Sequence, residues 1–214
     1  MRKHLALAAC LALPLTLTAC GGDGDKPGAA ASTPPVATSA APAAAASADL
    51  TSLSSWKGEW NNIDRYLDDP ALAPGFAAAA KKNNSTPEKE KAALHKRRAA
   101  DFGGLRIDGD KVTFLDNFPS KDGKEVTSAQ YAYDKTYESV VGGKTRTWYA
   151  FKATASEAKY PTLMFFPIDP KEDLLHFHMR YGKDPQELLG KDGWFPTVVA
   201  PATTTAQLVT EVSE

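Results

Sequence analysis

Leu105-Arg106-Ile107-Asp108-Gly109-Asp110-Lys111-Val112-Thr113-Phe114-Leu115 decides the fold class. Apolar and polar residues alternate on both sides of Asp108-Gly109, a dipeptide that favours tight hairpin turns. The stretch therefore reads as two antiparallel strands, Leu105–Ile107 and Lys111–Leu115. Downstream, the same period of two recurs in Ala129–Tyr133, Tyr137–Val141, Thr145–Lys152, Thr162–Phe166 and Leu174–Tyr181, with Gly142-Gly143 as a second hairpin turn. Seven short strands joined by tight turns predict an antiparallel sheet curled into a barrel or sandwich.

Upstream of Gly103 the period changes. Leu53, Trp56, Trp60, Ile63 and Leu67 recur at spacings of three and four, which predicts one helix, stopped by Asp68-Asp69-Pro70. A second helix is expected over Phe76–Lys82. Thr86-Pro87-Glu88 has the order of an N-cap, a first-turn proline and an acidic first turn, so a third helix should run to about Ala100. Asp184-Pro185 through Leu189 and Thr205 to Val212 predict two more short helices.

All aromatic residues lie within residues 51–214, which are enough for one sizeable core. Residues 1–50 differ. Arg2, Lys3 and His4 precede an apolar stretch, Leu5 to Ala19, of about fifteen residues, short of the roughly 20 that span a bilayer. This is the pattern of an export signal, residues 1–19. It ends in Leu17-Thr18-Ala19-Cys20-Gly21, which resembles a bacterial lipobox, so Cys20 is expected to carry the lipid that ties the chain to a bilayer. Residues 20–50 are rich in Ala, Pro, Gly and Ser and should form a disordered tether reaching roughly 30 Å.

Composition excludes several classes. Lys+Arg number 25 and Asp+Glu 26, too even for nonspecific nucleic-acid binding, which requires a basic face. The two cysteines, Cys10 and Cys20, both precede the folded region, so that region holds no disulfide and no thiolate site. There is no Gly-x-Ser-x-Gly, P-loop, dinucleotide fingerprint or His-Glu-x-x-His, hence no positive sign of an enzyme.

One strand carries the candidate site. In Leu174–Tyr181, alternation sets Leu175, Phe177, Met179 and Tyr181 on one face and His176, His178 and Arg180 on the other. Imidazoles at i and i+2 on a strand can meet at one metal ion, and neutral imidazole is a good zinc ligand. A polar strand face is the simpler reading of the same pattern. His95, in Leu94-His95-Lys96-Arg97-Arg98, reads as part of a solvated basic helix face, and Trp56, Trp60 and Trp194 read as core.

Several runs, in this order, resemble the ZinT family of exported bacterial zinc-binding proteins. They are Leu53-Ser54-Ser55-Trp56-Lys57-Gly58-Glu59-Trp60, Ile107 to Phe114, Tyr131-Ala132-Tyr133, Gly143-Lys144-Thr145-Arg146, Ala158-Lys159-Tyr160-Pro161, His176-Phe177-His178 with Gly182, and Gly193-Trp194-Phe195-Pro196-Thr197. The resemblance implies a lipocalin-like (calycin) antiparallel β-barrel with N-terminal and flanking helices. It also implies Zn²⁺ as cargo, delivered to a zinc ABC importer, and a site of three His plus an exchangeable fourth ligand at the barrel mouth. His176 and His178 match two of the three. The third position is Pro167, which offers no ligand; Asp169 is the nearest replacement, with Glu172 and Asp173 further on. At Arg180 the family has an apolar or aromatic residue, and a fixed charge there suits an anion. The family's paired cysteines align with Ala129 and Ala153. The alternative function is a metal-free barrel that holds a small anionic or apolar ligand, or a protein partner.

Overall fold

The computed structural model describes residues 49–170 and 172–214. The expected leader, Cys20 and the tether up to residue 48 lie outside the described residues. Eight strands form a closed barrel in chain order: β1 (Gly58–Asn62), β2 (Gly104–Asp108), β3 (Lys111–Leu115), β4 (Glu125–Val141), β5 (Lys144–Ala153), β6 (Thr162–Phe165), β7 (His176–Gly182) and β8 (Thr197–Val199). Each pairs antiparallel with its neighbour, and β1 closes the ring on β8 through Asn61↔Val199. Among the described residues, four α-helices flank it: α1 (Ala73–Lys82), α2 (Pro87–Arg98), α3 (Pro185–Leu189) and α4 (Thr205–Val212). None of the described helices is long and apolar enough to cross a membrane.

The expected helix over Leu53–Leu67 is absent. Leu53–Trp56 makes a single 3-10 turn, Lys57 is extended and Gly58 sits at φ +141°, a backbone state that side chains disfavour. The chain then enters β1, where Trp60 pairs with Leu105. Leu53, Trp56 and Trp60 all reach the barrel interior, whereas Ile63 and Leu67 belong to a second cluster outside the wall. The spacing of three and four is thus shared by two surfaces, and pairing on both edges of β1 overrides helical propensity.

Two expected strands, Ala129–Tyr133 and Tyr137–Val141, are one strand, β4, with a bulge between Tyr133 and Lys135. The extra residue switches the parity. Tyr131 packs inside, while Tyr137 packs against the outer cluster around Trp148. β8 escaped the sequence reading because it is three residues long, after Pro196 and close to Pro201. The remaining expected helices form, α1 without a side-chain cap at its start. The Thr86 hydroxyl accepts the Lys89 N–H, and Thr204 with Gln207 makes a capping box on α4.

Aromatic side chains fill the interior. Trp60 and Phe177 meet edge to face at 4.9 Å between centroids, and Phe165 and Phe177 lie at 5.1 Å. A small ligand enclosed by the barrel, one expected alternative, meets a packed aromatic core there. Outside the wall, α1 and α4 cover β1 and β8 through Phe76, Leu208, Val212 and Val199.

Candidate metal-binding site on the outer face of the barrel

β7 positions both imidazoles. Phe177 and Met179 point into the barrel core, so strand alternation turns His176 and His178 to the outside of the wall. Their ring centroids are 5.0 Å apart. They line two adjoining clefts, of about 540 and 890 Å³; the larger also takes in Phe177 of the barrel core, the turn between β4 and β5 and the loop between β6 and β7, which lie at one end of the barrel. Glu172, Glu211 and Glu214 line the first; Arg97, Arg146, Asp169, Glu172 and Glu214 line the second.

The two rings are held by their Nδ1 atoms. Nδ1 of His176 is 2.9 Å from the Leu174 carbonyl and 3.3 Å from the Glu172 carboxylate. Both are acceptors, so Nδ1 carries a proton, and in the neutral ring Nε2 holds the lone pair. That is the arrangement a metal-ligating histidine has, with the far nitrogen oriented by a carbonyl or carboxylate. Glu172 therefore supports His176 from behind. Nδ1 of His178 is 2.7 Å from the Thr197 hydroxyl and 3.0 Å from Arg98 Nη1. Neither Nε2 has a hydrogen bond to a described residue. Burial, and then the charge of Arg98 beside it, holds the His178 pKa well below the ordinary imidazole value, so the ring is neutral at pH 7.

Arg98 was expected on a solvated face. It is instead buried, because the last turn of α2 lands on β7 and β8. Its Nη1 donates to Thr197 Oγ1 at 2.6 Å and to the Phe195 carbonyl at 3.3 Å, and its Nη2 to Glu211 of α4 at 3.0 Å. Arg98, Thr197 and Glu211 are the site residues that sequence reading missed. Thr197 had a signal, its place in the Trp-Phe-Pro-Thr run. Arg98 had none apart from a basic run that suggests solvent.

Arg180 shares the outer face, as alternation predicts, but it does not serve an anion. It is 2% exposed. Its guanidinium donates to the carbonyls of Leu188, Leu189 and Trp194 and lies over the rings of Trp148 and Phe195, at 4.9 and 4.7 Å. The Leu188 and Leu189 carbonyls end α3, and the positive charge is consumed there. Pro167 lies in the second cleft, two residues past the end of β6, and supplies no donor. Asp169 lines that cleft with both His, but from a loop, since the strand does not continue past the proline. Among the described residues, no group of three or more His, Cys, Asp or Glu is close enough to hold a metal ion. His95 is engaged elsewhere, 2.8 Å from Asp64 and 3.4 Å from Asp68.

Residues 44–214 match the family model described as ZinT (YodA), periplasmic lipocalin-like zinc-recruitment. The chain belongs to the ZinT family. It is 30% identical over 153 residues to the probable metal-binding protein YrpE of Bacillus subtilis (strain 168), covering 68% of this chain and 57% of that protein. It is 30% identical over 150 residues to the zinc-binding protein AdcA of Streptococcus pyogenes serotype M1, covering 65% of this chain and 27% of that protein. The matches thus span little more than half of one relative and about a quarter of the other. The fold is similar to the ZinT-like domain of Zn(II)-bound AdcA from Streptococcus pneumoniae, with a TM-score of 0.62 and 20% identity over 76% of this chain and 90% of that domain. Against Zn(II)-bound AdcA from the same organism the TM-score is again 0.62, with 35% of the longer chain covered.

Proposed function

We propose that this protein captures Zn²⁺ outside the cytoplasmic membrane, tethered there through Cys20, and supplies it to a zinc ABC importer. Membership of a family described as zinc-recruiting supports the cargo, and the names of YrpE and AdcA point the same way. The observation that carries the site is the pair His176 and His178, side by side on β7 with both Nδ1 atoms held from behind and neither Nε2 hydrogen-bonded to a described residue. Nitrogen ligands approach zinc to about 2.0–2.1 Å and zinc takes four ligands. Two imidazoles supply half that shell. Water, or a cleft carboxylate such as Asp169 that moves in on binding, completes it. An incomplete protein shell suits a carrier, because it leaves positions through which the next protein can take the ion.

Zinc titration of the metal-free protein by calorimetry at neutral pH tests this, beside a His176→Ala/His178→Ala variant. One-to-one binding that disappears in the variant is the expected result; equal affinity in both proteins removes these residues from the site. For the tether, cells fed labelled palmitate should label the protein, and Cys20→Ala should not be labelled. Label retained in that variant refutes the anchor. If no zinc binds, the reading passes to an anionic ligand in the larger cleft, where Arg97 and Arg146 stand beside the His pair.

A further inference from the structure

The two imidazoles are not equivalent, and the difference lies behind them. His176 Nδ1 faces only acceptors, the Leu174 carbonyl and the Glu172 carboxylate. His178 Nδ1 faces one group that can accept, Thr197 Oγ1 at 2.7 Å, and one that can only donate, Arg98 Nη1 at 3.0 Å. Two proton arrangements satisfy the other distances. In the first, Thr197 Oγ1 donates to His178 Nδ1 at 2.7 Å, Arg98 Nη1 donates one proton to Thr197 Oγ1 at 2.6 Å and turns the other to His178 Nδ1 at 3.0 Å, and the imidazole proton is on Nε2. In the second, His178 Nδ1–H donates to Thr197 Oγ1, Arg98 Nη1 turns its second proton to the Phe195 carbonyl at 3.3 Å, and Nε2 carries the lone pair. The second places an N–H of Arg98 against the N–H of His178. The first has no such donor–donor contact, and it keeps a charge-assisted bond.

We propose that Arg98 is a positioning residue that holds metal-free His178 in the Nε2–H tautomer, so that capture of a metal ion by Nε2 requires a switch to the tautomer that only Thr197 can accept. The inference rests on the zinc-binding reading of His176 and His178. It assigns His176 as the ready ligand and His178 as the gated one. When the ion leaves, Arg98 reclaims Nδ1. The affinity is thereby lowered at the ligand nearest the buried Arg98–Glu211 pair, whose side chains are 9% and 12% exposed. A carrier needs this kind of weakening if it is to give up its cargo.

The test combines long-range ¹H–¹⁵N NMR of the imidazoles at neutral pH with zinc calorimetry on the protein. Four forms are compared: wild type, Glu211→Gln, Arg98→Met/Glu211→Gln and Thr197→Val. The double variant avoids leaving a buried carboxylate without its cation, and Glu211→Gln alone is its control. Metal-free wild type and Glu211→Gln should show His178 protonated on Nε2, and Arg98→Met/Glu211→Gln should show it on Nδ1. Zinc affinity should rise about tenfold or more in the double variant over its control, the worth of one hydrogen bond to a charged group. Thr197→Val, nearly the same shape, should stay in the Nε2–H form and bind zinc more weakly than wild type. A wild-type His178 protonated on Nδ1, or equal affinity in the double variant and its control, overturns the inference while zinc binding stands. No zinc binding in any of the four overturns the metal reading, and the inference with it.

Discussion

Arg98 and Arg180 show how much one residue's meaning depends on its neighbours. Both are buried, and they do unrelated things. Arg98 joins α2 to β7, β8 and α4 through His178, Thr197 and Glu211. Arg180 holds the end of α3 against the wall and packs on Trp148 and Phe195. Arg180→Met should therefore lower stability by roughly 2–3 kcal/mol, through lost bonds to carbonyls and a lost cation–π contact, in urea denaturation. Zinc affinity should not change. A drop in affinity without loss of stability would return Arg180 to the binding site.

At the scale of elements, the cleft depends on how α4 is seated. Thr204 and Gln207 cap its start, and Leu208 and Val212 bury its apolar side. The helix can come this close because α1 offers Gly75. A Cβ there would run into the Val212 side chain and stand 2.6 Å from the Val209 carbonyl oxygen. Gly75→Ala should push α4 outward and cost about 1–3 kcal/mol, as overpacking does, readable as a lower urea midpoint. Because Glu211 and Glu214 ride on the displaced segment, zinc affinity should fall as well. An unchanged midpoint would mean that α1 and α4 separate freely. The chain reads clearly at this scale where an element carries its own signals: β3, α4 and the start of α2 lie where turn and cap residues put them. It misleads at Leu53–Leu67, where one spacing serves two surfaces.

Across the whole molecule, the barrel is pinned at the end of β7 away from His176. The Asp101 carboxylate accepts hydrogen bonds from Tyr160, and from Tyr181 at 2.7 Å. Burial raises the Asp101 pKa, but the two hydroxyls and Lys159 outweigh it, and the net shift is downward. A carboxyl whose folded pKa is depressed stabilises the fold above the unfolded value of about 3.9 and loses that contribution as pH falls through the folded pKa. Tyr160 and Tyr181 shift upward, first through burial and then through Asp101. Their contribution is present below the unfolded value of about 10 and is lost as pH rises beyond it. Thermal unfolding across pH should thus give a plateau with one limb below about pH 4 and another above about pH 10. Asp101→Asn should shrink the acid limb; an identical acid limb in that variant would assign it to other carboxylates.

Local chemistry in the sequence determined most strands, the hairpin turns, the helix caps and the shared face of His176, His178 and Arg180, because each rests on residues close along the chain. The tertiary structure alone decided which face of β7 is inside, that β1 and β8 close the ring, and that an arginine from α2 and a threonine from β8 stand behind His178. Those contacts join residues 80 and 19 positions apart, and no local period encodes them. Burial of the large aromatic rings settles the first point: Trp60, Phe165 and Phe177 take the interior, and the imidazoles are left on the outside, beside the residues that control them.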